Sequence, residues 1–89
     1  MIEREVEIVN RLGLHARAAA KLVHTAGAFQ SRVSVARDGE EVDAKSILGV
    51  LLLAAAQGSM LVVRSDGPDE AEAMRAVTEL IANRFDEES

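Results

Sequence analysis

The sequence contains no cysteine, tryptophan or tyrosine, and its only aromatic residues are Phe29 and Phe85. Without cysteine the chain forms no disulfide and offers no thiolate to a metal. With so few rings it has no platform on which nucleic-acid bases could stack. The formal net charge of −5 also disfavours binding to nucleic acid, whose phosphates are bound by basic protein surfaces. We therefore expect a protein with no metal site, no cofactor and no nucleic-acid partner.

The sequence also lacks an apolar segment long enough to cross a bilayer. Its longest apolar run, residues 47–56, is interrupted by Gly49 and falls well short of the roughly 20 residues that a transmembrane helix needs. We therefore expect no membrane insertion, and the lack of cysteine fits a cytoplasmic protein. The length of 89 residues predicts a single domain over residues 1–89, with an acidic C-terminal tail at 86–89 that frays beyond Phe85.

Hydrophobic periodicity predicts four strands and three helices. Near-strict alternation over residues 2–8 is typical of a strand with one wet face, which favours antiparallel pairing. The predicted strands cover residues 2–8, 31–36, 40–43 and 59–65, and the predicted helices cover 16–26, 47–56 and a third segment whose first turn contains Pro68. With all helices on one face, the order βαββαβα predicts an α+β fold, an open-faced two-layer sandwich on a four-stranded antiparallel sheet.

Apolar stripes on the helices indicate which faces are buried. The first helix presents a core stripe made of Ala19, Leu22, Val23 and Ala26. The second helix has two apolar stripes, one with Val50 and Leu53 and the other with Ile47, Leu48 and Leu51. Because a short helix on a two-layer domain cannot easily bury both, one stripe is a candidate contact surface. The alternative is a second helix that is deeply buried.

A histidine stands where the first helix begins, in the segment Gly13-Leu14-His15-Ala16-Arg17. The first backbone amides of a helix have no intrahelical partner, and with the helix dipole they suit a phosphate group. Arg17 adds a cation whose planar fork matches phosphate oxygens. The positive surroundings favour a neutral, nucleophilic ring at His15, and a phosphoryl group there would meet the amides of Ala16 and Arg17. The segment therefore predicts a site that accepts and donates a phosphoryl group.

Together with Lys45-Ser46-Ile47-Leu48-Gly49, this segment resembles HPr, the family of histidine-containing phosphocarriers of the sugar phosphotransferase system. The resemblance runs from residue 2 to about residue 85. Element order alone leaves the strand order open, since a ferredoxin-like sheet has the same βαββαβ order. The resemblance implies the order 1-4-2-3. It also implies that Nδ1 of His15 takes a phosphoryl group from phosphorylated enzyme I and passes it to an EIIA-type acceptor, while Arg17 steadies the phosphate.

The resemblance implies two further features of the surface. Ser46 is a good N-cap for the second helix, and in the family it is also a regulatory phosphorylation site where an HPr kinase/phosphorylase exists. The residues expected to dock partners are Ala20, Lys21, His24, Ile47, Leu48 and Leu51. His24 forms no metal pair with His15, because their spacing is wrong for one. We expect a monomer that carries phosphate between partners and does not act as a stand-alone catalyst.

One departure from the family pattern lies inside the motif. Ala18 stands where the family usually has proline, and alanine preserves the helix because it has the highest helix propensity. Other features resemble the nitrogen-related branch of the family, so the choice between that branch and the sugar branch stays open. Two rival functions also remain. A regulatory binding module of the same fold predicts loss of the histidine, and a ferredoxin-like small-molecule sensor predicts a glycine-rich ligand loop.

Overall fold

Four antiparallel strands in the order β1-β4-β2-β3 form one layer of the structure, a computed structural model that describes residues 1–89. The strands are β1 (Ile2–Glu7), β2 (Arg32–Arg37), β3 (Glu40–Asp43) and β4 (Met60–Asp66). The helices α1 (Ala16–Gly27), α2 (Ile47–Leu52) and α3 (Glu70–Ala82) form the second layer, and a short 3-10 turn follows at Arg84–Asp86. The predicted fold class and strand order are confirmed.

The core lies between the sheet and the helices and is almost entirely aliphatic. On β2 the predicted inward residues Val33 and Val35 are buried, and Val35 pairs with Val63 on the central strand β4. Phe85 is the only aromatic residue in the cluster of 19 buried side chains, and it has no exposed surface. None of the helices has the length and apolar character that crossing a membrane requires.

Helix α1 begins at Ala16 as predicted and extends through Gly27, one residue beyond the predicted end. Most of its predicted core stripe is buried, but Val23 is only half-buried, and Ala18 completes the buried face. Ala18 has no exposed surface. The helix therefore forms without the family's proline, and the alanine methyl group packs in the core.

Helix α2 is shorter than predicted, because it ends at Leu52 rather than at residue 56. The chain leaves the helix through Ala54, which adopts a left-handed conformation with φ of 49°. The carbonyl of Ala55 then accepts a hydrogen bond from the amide of Leu14 at 2.8 Å. Apolar residues that could have continued the helix instead support the loop in front of α1, so tertiary contact overrides local propensity.

Helix α3 begins at Glu70, so Pro68 lies before the helix and not in its first turn. Asp69, the residue before the helix, does not cap it with its side chain. Its carboxylate instead accepts hydrogen bonds from the amides of Gln30 and Ser31, both at 2.9 Å. Asp69 therefore fixes the entry to β2, a tertiary role that its position before a helix did not reveal.

The acidic C-terminal tail folds back against the molecule instead of extending away from it. Three consecutive residues, Arg84–Asp86, adopt positive φ angles of 59°, 53° and 63°, which turn the chain sharply after α3. Phe85 inserts into the core, and its carbonyl accepts a hydrogen bond from Nζ of Lys21 at 2.7 Å. The expectation of a free tail beyond Phe85 is therefore wrong, because burial of the one core aromatic ring anchors the turn.

Candidate functional site

A closed loop between β1 and α1 sets the position of the site. Asn10 has no exposed surface, and its Nδ2 donates a hydrogen bond to the carbonyl of Gly13 at 2.8 Å. Gly13 adopts a φ of +65°, and a Cβ atom there would lie 2.4 Å from the carbonyl oxygen of Ala55. Only glycine allows this close approach. The loop is therefore braced from both sides immediately before His15.

His15 is the N-cap of α1, with extended backbone angles of φ −75° and ψ 177°. Its Nδ1 atom accepts a hydrogen bond from the backbone amide of Arg17 at 3.3 Å. The side chain keeps 26% of its surface exposed, and the first turn of α1 contains no acidic residue. Nδ1 of His15 thus lies at the N-terminus of α1, on a side chain that is partly open to solvent.

The other ring nitrogen of His15 meets a carboxylate from the tail. Nε2 contacts Oε2 of Glu87, while Oε1 of Glu87 accepts a hydrogen bond from Nδ2 of Asn10 at 3.0 Å. Because Nδ1 accepts a hydrogen bond, it carries no proton, and the proton of the neutral ring is on Nε2, which donates it to Glu87. The structure therefore favours the tautomer whose free lone pair is on Nδ1.

The environment of Glu87 keeps it ionised. Partial burial on its own would raise the pKa of Glu87, but hydrogen bonds from Asn10 and His15 outweigh this effect, and the charge of Lys21 adds to them. The net result is a pKa below the ordinary value of 4.5 for this carboxyl. A negative charge therefore faces Nε2 of His15 at neutral pH.

Basic and acidic side chains together line a shallow cavity of about 410 Å³, and two of these residues, Arg17 and Glu87, are hydrogen-bonded to His15. The guanidinium group of Arg17 has no hydrogen bond or ion pair there, so it can turn toward an incoming anion. The residues that line this cavity are Arg11, Leu12, Arg17, Lys21, Asp86, Glu87, Glu88 and Ser89. The acidic tail therefore faces the same basic side chains that would attract a phosphate.

The residues predicted to dock partners are not equally accessible. Ala20, His24 and Leu48 are exposed, Ile47 is just over one-third exposed, and Lys21 is half-buried. Leu51 is also half-buried and packs against the core.

Two apolar side chains missed by sequence reasoning are more open than Leu51. Leu52 is 73% exposed and Leu12 is 65% exposed. Leu48 and Leu52 are four residues apart and therefore share one face of α2, so the spacing in the sequence could have identified Leu52. For Leu12 no periodic signal existed, because it lies in a loop.

Ser46 lies at the other predicted position, the N-cap of α2. Its Oγ accepts a hydrogen bond from the amide of Gly49 at 3.2 Å, and its side chain is half-buried. The predicted capping role is confirmed. No group of three or more His, Cys, Asp or Glu side chains is arranged to hold a metal ion.

Sequence reasoning also missed Asn10 and Glu87 as members of the site. Glu87 is 72 residues from His15 along the chain, so no local motif links them. The amide of Asn10 is buried, and its Oδ1 atom has no hydrogen-bond partner. A sequence pattern reports local neighbours, whereas these two residues reach the histidine only through tertiary folding.

Comparisons with known proteins agree with the fold and the motif. A family profile described as "PTS HPr component phosphorylation site" matches residues 2–83. The phosphocarrier protein HPr of Cupriavidus necator is 58% identical over 87 residues, which is 98% of each chain. The crystal structure of HPr-C-His from Thermoanaerobacter tengcongensis superposes with a TM-score of 0.96 at 44% identity, covering all of both chains. A structure described as an HPr dimer from the same organism gives a TM-score of 0.79, also at 44% identity, and covers 98% of this chain and all of the other.

Proposed function

The chain belongs to the HPr family and is a phosphocarrier of the phosphotransferase system, and from that premise we propose that His15 carries the phosphoryl group. In the proposed cycle, Nδ1 of His15 takes the group from phosphorylated enzyme I and passes it to an EIIA-type acceptor. The exchange takes place in the cytoplasm. The chain contributes a nucleophile and groups that hold phosphate, so it acts as a carrier between two partner proteins and not as a stand-alone catalyst.

The observation that carries this proposal is the placement of Nδ1 of His15. The atom lies 3.3 Å from the amide of Arg17 at the start of α1. A phosphoryl group bound to Nδ1 would replace the ring nitrogen as acceptor for that amide, so its new negative charge would meet a donor already in position. The guanidinium group of Arg17, which has no partner, supplies the second contact to phosphate.

The proposal is tested by incubating the protein with phosphoenolpyruvate and a heterologous enzyme I. We expect a phosphoryl group that is labile in acid and stable in base, and we expect His15→Ala to lose it. His24→Ala is the matched control for the site of attachment, since His24 is the only other histidine, and this variant should still take the label on His15. Label that persists in His15→Ala would refute the proposal. Parallel reactions with sugar-type and nitrogen-type enzyme I would show which branch of the system the chain serves.

The surface that meets enzyme I and EIIA is proposed to surround His15. Side chains on α1 and α2, including Leu52, form this surface together with Leu12 from the loop before α1. The proposed docking surface consists of Leu12, Ala20, Lys21, His24, Ile47, Leu48, Leu51 and Leu52, with Leu51 contributing only its exposed part. Such a combination of apolar and basic groups suits a partner with an apolar contact region and acidic residues. We propose that the chain meets its partners as a monomer, because self-association through this surface would occupy it.

Ser46 is the proposed regulatory site, modified by an HPr kinase/phosphorylase where the organism has one. Its hydroxyl lies at the N-terminus of α2, so a phosphate there would keep the capping contact to the amides of that helix. The added negative charge would lie beside the exposed side chains of Ile47 and Leu48. It would therefore weaken association with an acidic partner surface without disrupting the fold.

A further inference from the structure

The ring nitrogen of His15 that does not carry phosphate also has a dedicated partner. Nε2 contacts the carboxylate of Glu87, whose other oxygen is held by Asn10. We propose that Glu87 is a positioning residue for phosphoryl transfer. It holds the tautomer in which Nδ1 is free to react, and it balances the positive charge that the ring acquires when the N–P bond forms. This inference rests on the proposed role of His15.

Three separate parts of the molecule fix the position of Glu87. The buried ring of Phe85 anchors the turn that precedes it, and Nζ of Lys21 binds the carbonyl of Phe85 at 2.7 Å. Asn10 binds Oε1 of Glu87 and the carbonyl of Gly13 with the same Nδ2 atom, at 3.0 Å and 2.8 Å. Because Gly13 belongs to the loop that carries His15, the carboxylate and the imidazole are held by one common support.

The electron balance of the transfer explains why a carboxylate helps. The lone pair of Nδ1 forms the new bond to phosphorus, while the bond from phosphorus to the donor breaks and its electron pair leaves with the donor. The ring keeps its proton on Nε2 and therefore becomes positively charged. Glu87 faces that proton, and its side chain is only 14% exposed, so the attraction is less screened than on an open surface.

The same contact assists the return step. When an acceptor attacks phosphorus, the N–P bond breaks and its electron pair returns to Nδ1, which restores the neutral ring. The Nε2 proton stays hydrogen-bonded to Glu87 throughout, so no proton has to be moved in either direction. An oriented carboxylate behind a reacting histidine is a recognised way to fix its tautomer and to stabilise the imidazolium form.

The charges around Glu87 suggest an opposing interpretation that an experiment can separate from ours. Arg11, Arg17 and Lys21 line the same cavity as Glu87 and Asp86. If the tail only neutralised these basic groups, it would compete with phosphate and slow the transfer. Loss of the Glu87 charge would then accelerate the reaction, whereas a positioning role requires the reaction to become slower.

The test compares Glu87→Gln, Glu87→Ala and Glu87→Asp with the unmodified full chain. Glu79→Gln on α3 is the matched control, because the Glu79 side chain has the same charge, is exposed and does not line the cavity beside His15. Two properties are measured: the single-turnover rate of transfer from phosphorylated enzyme I as a function of pH, and the fraction of the Nε2–H tautomer of His15 by nitrogen NMR. We expect Glu87→Gln to be about tenfold slower, the lower end of the loss seen when a group that orients a metal-binding histidine through a hydrogen bond is removed.

We also expect Glu87→Gln to lose the preference for the Nε2–H tautomer and to shift the pH profile of the rate. Glu87→Asp should recover part of both properties, and Glu79→Gln should match the unmodified protein. An unchanged rate and tautomer in Glu87→Gln and Glu87→Ala would overturn the inference, and so would a faster reaction. Failure of the unmodified protein to take label on His15 would instead refute the proposed function, and the tautomer measurement would still report on the Glu87 contact.

Discussion

Arg17 combines a backbone amide that is already hydrogen-bonded to Nδ1 of His15 with a guanidinium group that has no partner. Arg17→Ala should slow phosphoryl transfer about tenfold, which corresponds to about 1.4 kcal/mol of lost stabilisation of the transition state. Rates measured with phosphorylated enzyme I test this expectation, with Arg75→Ala on the far helix α3 as the control. An unaltered rate in Arg17→Ala would remove Arg17 from the mechanism.

Ser46 allows charge and capping to be tested separately at one position. Aspartate and asparagine both cap helices well, but only aspartate adds a negative charge. Ser46→Asp should therefore raise the apparent KM for enzyme I several-fold, while Ser46→Asn should leave it near that of the unmodified protein. Thermal unfolding should change little in either variant. Equal affinities in the two variants would contradict the regulatory proposal.

At the scale of single residues, the sequence predicted the features that depend on neighbours along the chain. His15 as the start of α1, Ser46 as a cap and the inward valines of β2 all follow from a motif or a period of two. Asn10 and Glu87 were not found, because only the folded chain brings them to His15. The hydrogen-bond partners of His15 depend on tertiary folding, and a single sequence holds no short-range record of them.

Helix α2 and the loop before α1 are stabilised together, and Gly13 is the contact point. A methyl group at residue 13 would collide with the carbonyl of Ala55 and would also require an unfavourable positive φ. Gly13→Ala should lower the free energy of unfolding by about 2 kcal/mol. Gly27→Ala is the matched control, because a Cβ atom there meets nothing within 4 Å and the residue is helical. That variant should be more stable than the unmodified chain by about 0.5–1 kcal/mol.

Denaturant titration of both variants measures these changes. Similar stabilities in the two glycine variants would contradict the bracing role of Gly13. A further expectation is a reduced transfer rate in Gly13→Ala, since the carbonyl of Gly13 also holds Asn10.

The exposed face of α2 is part of the proposed docking surface. Leu52 and Leu48 are 73% and 72% exposed, so replacing either one should cost little stability. Leu52→Ser should raise the apparent KM for enzyme I several-fold, because it removes apolar area from the contact. Met60→Ser, which changes an exposed apolar residue on β4, is the control. Equal KM values for the two variants would place the docking surface elsewhere.

The boundaries of the elements were predicted less well than their existence. Helix α2 ends early because Ala55 bonds to Leu14, and α3 begins late because Asp69 bonds to the start of β2. In both cases the local sequence was compatible with a longer helix. Contacts with residues far away in the chain decided where α2 ends and where α3 begins, and periodicity carries no information about such contacts.

Acidification should weaken the whole molecule through carboxylates that join distant segments. Hydrogen bonds from Ser31 and Gln30 hold the pKa of Asp69 below its usual value, and the amide of Gly67 and the N-terminal ammonium group do the same for Glu70. Since these pKa values are lower in the folded than in the unfolded chain, the stabilisation is fully present above the unfolded values. It is lost as pH falls through the folded values.

The melting temperature should therefore stay nearly constant from about pH 7 to pH 5 and fall below about pH 4. Asp69→Asn should melt at a lower temperature at pH 7 and show a weaker dependence on pH. Glu79→Gln, which changes an exposed carboxylate without a hydrogen bond, serves as the control. If the melting temperature of Asp69→Asn fell as steeply with decreasing pH as that of the unmodified protein, this account would be contradicted.

At the scale of the whole molecule, the βαββαβα order and the positions of the strands were predictable because alternation and turn residues recur along the chain. The strand order needed the resemblance to a family, since local patterns do not distinguish the alternatives. The direction of the tail needed the structure itself. Its composition of acidic residues favours solvent, and only the burial of Phe85 redirects it.

The anchored turn at Arg84–Asp86 matters for anyone who handles the protein. A purification tag or fluorescent fusion joined after Ser89 would be attached two residues beyond Glu87, whose side chain contacts the imidazole of His15. Attachment ahead of Met1 would instead alter the ion pairs of its amino group with Glu70 and Asp66, which lie outside the site around His15. Capture experiments and sensors should therefore be tethered through the N-terminus.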